Sequence, residues 1–407
     1  MTGVAARIAV LRSALAAEME ALLGWWRQYA VDHVAGGFYG EVGNDNIPVS
    51  DAAKGLVLNA RILWTFSDVF RYSGQRTDLD LATRAFHYFY DFFRDTKYGG
   101  FYWSLKADGQ PLDRKKQVYG QAFAIYGLTA YFQATANVQA LDMAKATFLL
   151  LEQHGYDREY GGYIEAFAED WSATGNLRLS EKDQNTAKSM NTHLHVIEAY
   201  ARLYRVWPDA RLAAALKSLL VVFKQHILSA DFHQRLFFTA NWQSQSDEIS
   251  YGHDIEAAWL LQECAEILGE PEAMAEFKRF AVAMAVAALA GVDSDGGMYY
   301  EYHPDTCLMV REKHWWPQAE AMVGFFNAWQ QNMDARFLEQ VFKTWAYIND
   351  QLKDRENGEW FWGILPDGQP MPEPKAGFWK CPYHHVRACL ELIHRIDNEM
   401  EQAEHKP

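Results

Sequence analysis

The chain predicts an all-α fold, an (α/α)6 barrel of twelve helices with short β-hairpins over one mouth, and three observations carry that reading. The first is a recurring turn. Gly99-Gly100-Phe101-Tyr102-Trp103 reads as a tight turn running into a short aromatic strand. Near-copies stand at Gly36-Gly37-Phe38-Tyr39, Gly161-Gly162-Tyr163-Ile164, Gly296-Gly297-Met298-Tyr299-Tyr300 and, degenerate, Gly358-Glu359-Trp360-Phe361-Trp362. Their first glycines are 63, 62, 135 and 62 residues apart, and the long gap is two periods with the glycine-free Leu236-Phe237-Phe238 at its middle. A fixed period of this kind marks one supersecondary unit stacked on the next. The second observation is that helical patterns come in pairs between the turns. The third is that one helix is left unpaired at each end. An open array needs polar capping units, whereas two unpaired end helices complete a sixth pair and close a ring. An open helical array is the alternative topology.

Residues 3–31 form the first helix, with Val4, Ile8, Leu11 and Leu15 at helical spacing. Paired helices follow at 51–73 and 77–95, split by Ser73-Gly74, then at 114–134 and 137–153. The next pair, 183–205 and 209–228, is split at Trp207-Pro208-Asp209, where proline and an early aspartate suit a helix start. Gly269 ends one helix and Pro271 opens the next in the pair 248–269 and 271–290. Helices at 312–332 and 334–353 precede the last, at 381–400.

No Pro/Ser/Gly-rich or charge-run linker interrupts the repeat, so the expectation is a single catalytic domain over 1–407. A net charge of −15 disfavours nucleic acid and anionic membrane surfaces as partners. Ala14 to Leu23 contains Glu18 and Glu20, so it is an amphipathic helix rather than a signal peptide, and no run of 18 uncharged apolar residues exists. Cys264, Cys307, Cys381 and Cys389 show no paired metal spacing, and reduced thiols in a cytoplasmic protein are expected. Fifteen tryptophans exceed the needs of a core and suit stacking on a sugar. A monomer is expected, with a dimer as the alternative.

The unusual side chains fall on the first helix after each turn: Asn59 and Arg61; Gln117 and Tyr119; Asn191, His195 and Glu198; His253 and Glu256; His314, Trp316 and Glu320; Lys380 and His384. That helix is therefore read as the inner one of each pair. Asn191 and His195, and Trp316 and Glu320, are i,i+4 pairs, and His253 and Glu256 are i,i+3, so each pair shares a face. His193 points elsewhere, and Asn191-Thr192-His193-Leu194-His195 is not a metal motif.

Histidines near neutral pKa take a proton from one atom and return it to another, and two on opposite sides of a carbon make a two-base site. An arginine stabilises the oxyanion that develops. The set suits proton abstraction α to a carbonyl in an opened sugar, giving epimerisation or aldose–ketose isomerisation. Glu256, one turn from His253, is expected to orient that imidazole. A glycoside hydrolase would use Glu256 and Glu320 as a carboxylate pair, but each has a histidine or tryptophan neighbour that it better supports. A zinc set of His195, His253 and His384 lacks any close ligand pair. A non-catalytic carbohydrate-binding scaffold has no use for three lumenal histidines.

Six segments carry a resemblance. They are Lys54-Gly55-Leu56 through Arg61, Tyr119-Gly120-Gln121-Ala122-Phe123, Met190-Asn191-Thr192-His193-Leu194-His195 and Tyr251-Gly252-His253-Asp254-Ile255-Glu256. Lys313-His314-Trp315-Trp316-Pro317-Gln318-Ala319-Glu320 and Phe378-Trp379-Lys380-Cys381-Pro382-Tyr383-His384 complete the set. At these segments the chain resembles the N-acylglucosamine 2-epimerase superfamily, and within it the branch acting on cellobiose and lactose; mannose 2-epimerases share much of the pattern. The resemblance implies an (α/α)6 barrel with no metal and no cofactor. It implies that His253 and His384 are the acid–base pair and that His195 and Arg61 bind the reacting sugar and its oxyanion. Tyr119, Asn191, Glu256 and Glu320 complete the binding shell, and Trp316 and Trp379 stack on sugar rings, Trp379 on the sugar beyond the reducing end. The loop Ala168–Asp183 is the expected covering element.

Overall fold

The computed structural model describes residues 3–404. Twelve α-helices lie among them: α1 Gly3–Tyr29, α2 Leu56–Ser73, α3 Arg76–Tyr88, α4 Val118–Thr135, α5 Val138–Leu150, α6 Met190–Tyr204, α7 Ala210–Val222, α8 Tyr251–Leu268, α9 Pro271–Ala288, α10 Trp315–Asn332, α11 Ala335–Tyr347 and α12 Tyr383–Glu404. The even-numbered helices pack each on the next, and α12 returns to α2, so the ring is closed. The odd-numbered helices lie outside it. The chain ends make the sixth pair, α1 on α12, with Arg12 bonded to Asp397 at 2.8 Å. This is the expected (α/α)6 barrel.

Side-chain patterning separates the two layers. The inner helix α4 is buried without interruption from Val118 to Tyr131, as befits a helix apolar on all sides. The outer helix α11 buries Phe337, Leu338, Val341, Thr344 and Tyr347 along one stripe. Each such aliphatic or aromatic side chain contributes about 1.5–3 kcal/mol by leaving water. The inner helices approach closely where a side chain is missing. A Cβ on Gly324 would stand 2.5 Å from the Ile255 carbonyl oxygen, and one on Gly127 2.5 Å from that of Ala60. No helix among the described residues is long and apolar enough to cross a membrane.

The inner helices begin later than their spacing predicts, α2 at residue 56 rather than 51 and α6 at 190 rather than 183. The residues before them are extended and pair as short strands: Lys54-Gly55 with Ser104-Leu105, Lys116-Gln117 with Ala166-Phe167, Lys188-Ser189 with Phe237-Phe238, and Lys313-His314 with Gly363-Ile364. Bridges at Ile249–Tyr302 and Val42–Ala376 complete a collar around one mouth. Among the described residues two hairpins of paired strands stand there, 104–113 and 301–310; the other strand pairs join neighbouring repeats, and single bridges such as Val31–Phe38 and Arg94–Phe101 close the turns locally. Outer helices α3, α5, α7 and α11 each end in a π turn, which carries the chain over into this collar.

One device holds the collar together and repeats with it. In four repeats an aspartate in the turn accepts from two backbone N–H groups, as Asp32 does from Val34 and Ala35, both at 2.9 Å; Asp293 accepts from one, that of Ser294. Its second oxygen takes a buried lysine from the segment before the inner helix, in four repeats a short strand and at Lys375 a bend beside the Ala376 bridge. The pairs are Asp32–Lys54, Asp95–Lys116, Asp157–Lys188, Asp293–Lys313 and Asp354–Lys375, each at 2.6 or 2.7 Å. The remaining repeat substitutes His233 against Asp254 at 2.6 Å. The degenerate turn has its own reason: Glu359 sits where four other turns have their second glycine, at φ +64°, and its carboxylate takes Trp26 Nε1 at 2.7 Å and Lys380 Nζ at 2.9 Å.

Candidate active site

The collar stands at the N-terminal ends of the inner helices, and the sequence-predicted residues occupy the first turns below it. Six helix N-termini aimed at one lumen favour negative charge there. Three imidazoles are held in it through Nδ1. His195 Nδ1 lies 2.8 Å from Glu198 Oε2, His384 Nδ1 2.6 Å from Glu320 Oε1, and His253 Nδ1 2.7 Å from Ser250 Oγ. A carboxylate only accepts, so Glu198 and Glu320 fix their histidines as Nδ1–H and leave Nε2 as a free lone pair. Burial pushes all three imidazoles below their ordinary value, His253 to about 3 with His195 adding to the effect. They are therefore neutral near pH 7.

The carboxylates meet at a residue that the sequence reading missed. Arg387 donates through Nη1 to Glu198 at 2.5 Å and through Nη2 to Glu256 at 2.7 Å and Glu320 at 2.6 Å. It also bonds the Tyr383 hydroxyl, which donates in turn to Glu198. Trp259 Nε1 adds a bond to Glu320 at 3.1 Å. Burial raises the Glu198 carboxyl, but Arg387 and the His195 and Tyr383 bonds outweigh it and hold it at about 2. Burial and the Glu320 charge push Glu256 up to about 8. Arg387 follows His384 by three residues and Tyr383 by four, so its position on the inner face of α12 was readable from spacing.

Arg61 is the opposite case. It is buried, with Nη2 bonded to the Tyr119 hydroxyl at 2.8 Å and its guanidinium over the rings of Phe123 and Tyr383, at 4.2 and 4.6 Å. Among the described residues no carboxylate lies within 4 Å of it, and its Nε has no partner. Tyr119 packs edge-on and Phe123 at a tilt against His195, with ring centroids 5.1 and 4.7 Å away. Across the lumen the Trp316 ring lies 4.6 Å from His253 and 5.8 Å from His384. Asn191 carries a buried Oδ1 without a partner among the described residues. Trp379 is partly exposed, 6.1 Å from Tyr119 and 5.9 Å from Trp103 of the collar.

Several expectations change. Glu256 does not hold His253: its carboxylate bonds Arg387 and lies 3.9 Å from His384 Nδ1, while Ser250 is the partner of His253. Asn59 bonds its own helix at the Gly55 carbonyl, and Lys380 pairs with Glu359 in the collar. His314 stacks on Tyr300 at 4.0 Å, and the Gln117 amide donates to the Leu177 carbonyl, tying the 168–183 loop to the head of α4. His193 turns away as expected, accepting from Tyr163 N at 2.9 Å. Glu256, Glu320 and His384 bring three ligand-type atoms within 4.8 Å of one another, but the Arg387 guanidinium already bonds both carboxylates there.

The model of the N-acylglucosamine 2-epimerase (GlcNAc 2-epimerase) family matches residues 37–388. The cellobiose 2-epimerase of Bacteroides fragilis is 45% identical over 374 residues, 91% of this chain and 95% of that protein. That of Dictyoglomus turgidum is 36% identical over 377 residues, 92% of this chain and 96% of that one. The solved structure of cellobiose 2-epimerase from Spirochaeta thermophila superposes with a TM-score of 0.92 at 39% identity, covering 98% of this chain and 100% of that one. The chain belongs to the N-acylglucosamine 2-epimerase family.

Proposed function

We propose that the protein interconverts the reducing-end glucose of β-1,4 disaccharides, cellobiose and lactose, with mannose by removing and returning the proton at C2. The names of its relatives support the substrate class. The observation that carries the chemistry is a buried cation without a carboxylate, Arg61, facing imidazoles whose Nδ1 atoms are held and whose Nε2 atoms are free.

The sugar enters as a pyranose, and histidine-assisted proton transfer opens it to the aldehyde. One of His253 and His384 takes the C2 proton at Nε2, and the C–H electron pair moves through C1 to O1. The enediolate oxygen lies against Arg61, a charge-assisted donor to a developing anion, while His195 binds the reacting sugar through a hydroxyl that donates to its Nε2. Rotation about C2–C3 presents the opposite face, and the other histidine, carrying a proton taken from solvent at Nε2, delivers it to C2; the first then releases its proton to solvent. Glu320 steadies the His384 imidazolium, Glu198 holds His195, and Tyr119 aims Arg61. Glu256 joins Glu320 on Arg387. Asn191 binds a sugar hydroxyl, Trp316 supplies the platform between the two histidines, and Trp379 stacks on the sugar beyond the reducing end.

In this reading one catalytic domain spans 1–407 and acts as a cytoplasmic monomer without metal or cofactor. Arg387 supplies the positive charge among Glu256 and Glu320 that a metal would bring, so dialysis against a chelator leaves the rate unchanged. Chromatography after incubation with cellobiose, lactose, glucose and mannose tests the function. The expected products are the 2-epimers of both disaccharides. Conversion of free mannose alone, to glucose or fructose, would replace this reading with that of a monosaccharide epimerase or isomerase.

A further inference from the structure

All three lumenal imidazoles are held through Nδ1, but not by the same chemistry. His195 and His384 have carboxylates; His253 has a hydroxyl. Ser250 stands at the N-cap of α8, where a serine side chain normally accepts from a backbone N–H of the first turn. It makes no such bond; its Oγ lies instead 2.7 Å from His253 Nδ1. Ser250 is 1% exposed, so water does not compete for that contact. The Trp316 ring packs against the imidazole with centroids 4.6 Å apart, and glycine at 252 makes room for it, since a Cβ there would stand 2.6 Å from the Trp316 ring.

We propose that Ser250 is the positioning residue for His253, its hydroxyl oxygen accepting from Nδ1–H so that Nε2 faces the substrate as a lone pair. The inference rests on the reading of His253 as one of the two acid–base groups. A serine that has given up its capping bond contributes little to the helix, so its removal should cost activity rather than stability. A neutral imidazole in water prefers the Nε2–H form, and without an acceptor at Nδ1 the ring reverts toward that form and turns about its bond to Cβ. Both changes reduce the fraction of His253 able to take the C2 proton.

Ser250→Ala, Ser250→Thr and His253→Ala in the full chain test this, with cellobiose turnover, thermal midpoint and side-chain ¹⁵N spectra of labelled histidine as readouts. Ser250→Ala is expected to lower kcat about tenfold with KM within about twofold, and to move His253 toward the Nε2–H form. Its thermal midpoint should stay within about 2 °C of the parent, as for a substitution that removes no cap. Ser250→Thr, which keeps the hydroxyl, restores kcat to within about threefold of the parent. Wild-type kcat and an unchanged His253 tautomer in Ser250→Ala, with His253→Ala inactive, would overturn the role of Ser250 alone. Full activity in His253→Ala would overturn the acid–base reading and this inference with it. A loss in Ser250→Ala that tracks a fall in thermal midpoint and is not restored by threonine would reduce Ser250 to a structural residue.

Discussion

Two buried charge systems share the N-terminal end of the ring, and one of them is closed on itself. In the collar, each lysine of five repeats meets its aspartate at 2.6 or 2.7 Å, and the aspartates also collect the turn's backbone N–H groups. Burial lowers Lys54, Lys116 and Lys188, yet each stays paired. In the lumen, Arg387 is shared by three carboxylates while Arg61 has none within reach among the described residues. Burial of charge therefore does not mark function here. Repetition with every partner present marks scaffold, and asymmetry with partners missing marks the place where substrate completes the set.

The two systems should come apart under mutation. Asp95→Ala leaves Lys116 as an uncompensated buried cation and should cost about 3–5 kcal/mol of unfolding free energy, with turnover per folded molecule unchanged. Arg387→Met strands three carboxylates in the lumen and should cost about as much in stability and, in addition, most of the turnover. Urea unfolding beside active-site-normalised kinetics separates the outcomes. Equal loss of turnover in both variants would erase the distinction between collar and lumen.

Next in size are the histidines. His253→Ala and His384→Ala should each lose at least about 10²-fold in kcat, because a positioned acid or base contributes about 10²–10⁴-fold. Circular dichroism should show the helical fold retained. Full activity in either variant removes that histidine from the mechanism.

Much of this contrast was legible in the sequence, and the part that was not has a physical reason. The Gly-aromatic turns revealed the repeat because left-handed backbone at Gly37, φ +62°, admits no side chain: a Cβ there would meet the Tyr88 ring at 2.7 Å. The inner helices were recognisable because their histidines and carboxylates share faces. The collar pairs went unread although Asp32, Asp95, Asp157 and Asp354 each stand four residues before a turn glycine. Their lysine partners lie 21 to 31 residues further on, a separation set by the turn and strands between and invisible to helical spacing. Arg387 was missed for another reason. Its spacing from His384 and Tyr383 places it on the inner face of α12, but the convergence of three carboxylates from three other helices on it is a tertiary feature that spacing does not report.

A smaller effect tests the mouth. Trp379→Ala should weaken cellobiose turnover through KM by about 1–2 kcal/mol, roughly 5- to 30-fold, and leave free mannose almost unaffected. Equal losses on both sugars would favour a monosaccharide substrate. The smallest expected effect is on pH. Burial lowers the folded-state pKa of His195, His253 and His384 below 6.5, so below that pH the unfolded chain binds protons that the folded lumen refuses. Their contribution to stability is thus full above pH 6.5 and lost as pH falls toward the folded values. The acid limb of kcat/KM should correspondingly lie below 6.5. A limb above 6.5 would mean that the imidazoles are not desolvated as the packing implies.

The most direct test of the open lumen as a proton-transfer site is the fate of the C2 hydrogen in deuterated water. Cellobiose incubated with the enzyme should yield its 2-epimer carrying one solvent deuteron at C2, with none at other carbon positions, when read by proton NMR or mass spectrometry. Product formed at full rate with no solvent deuterium at C2 would contradict proton return by a second histidine and point to hydride transfer or internal return instead.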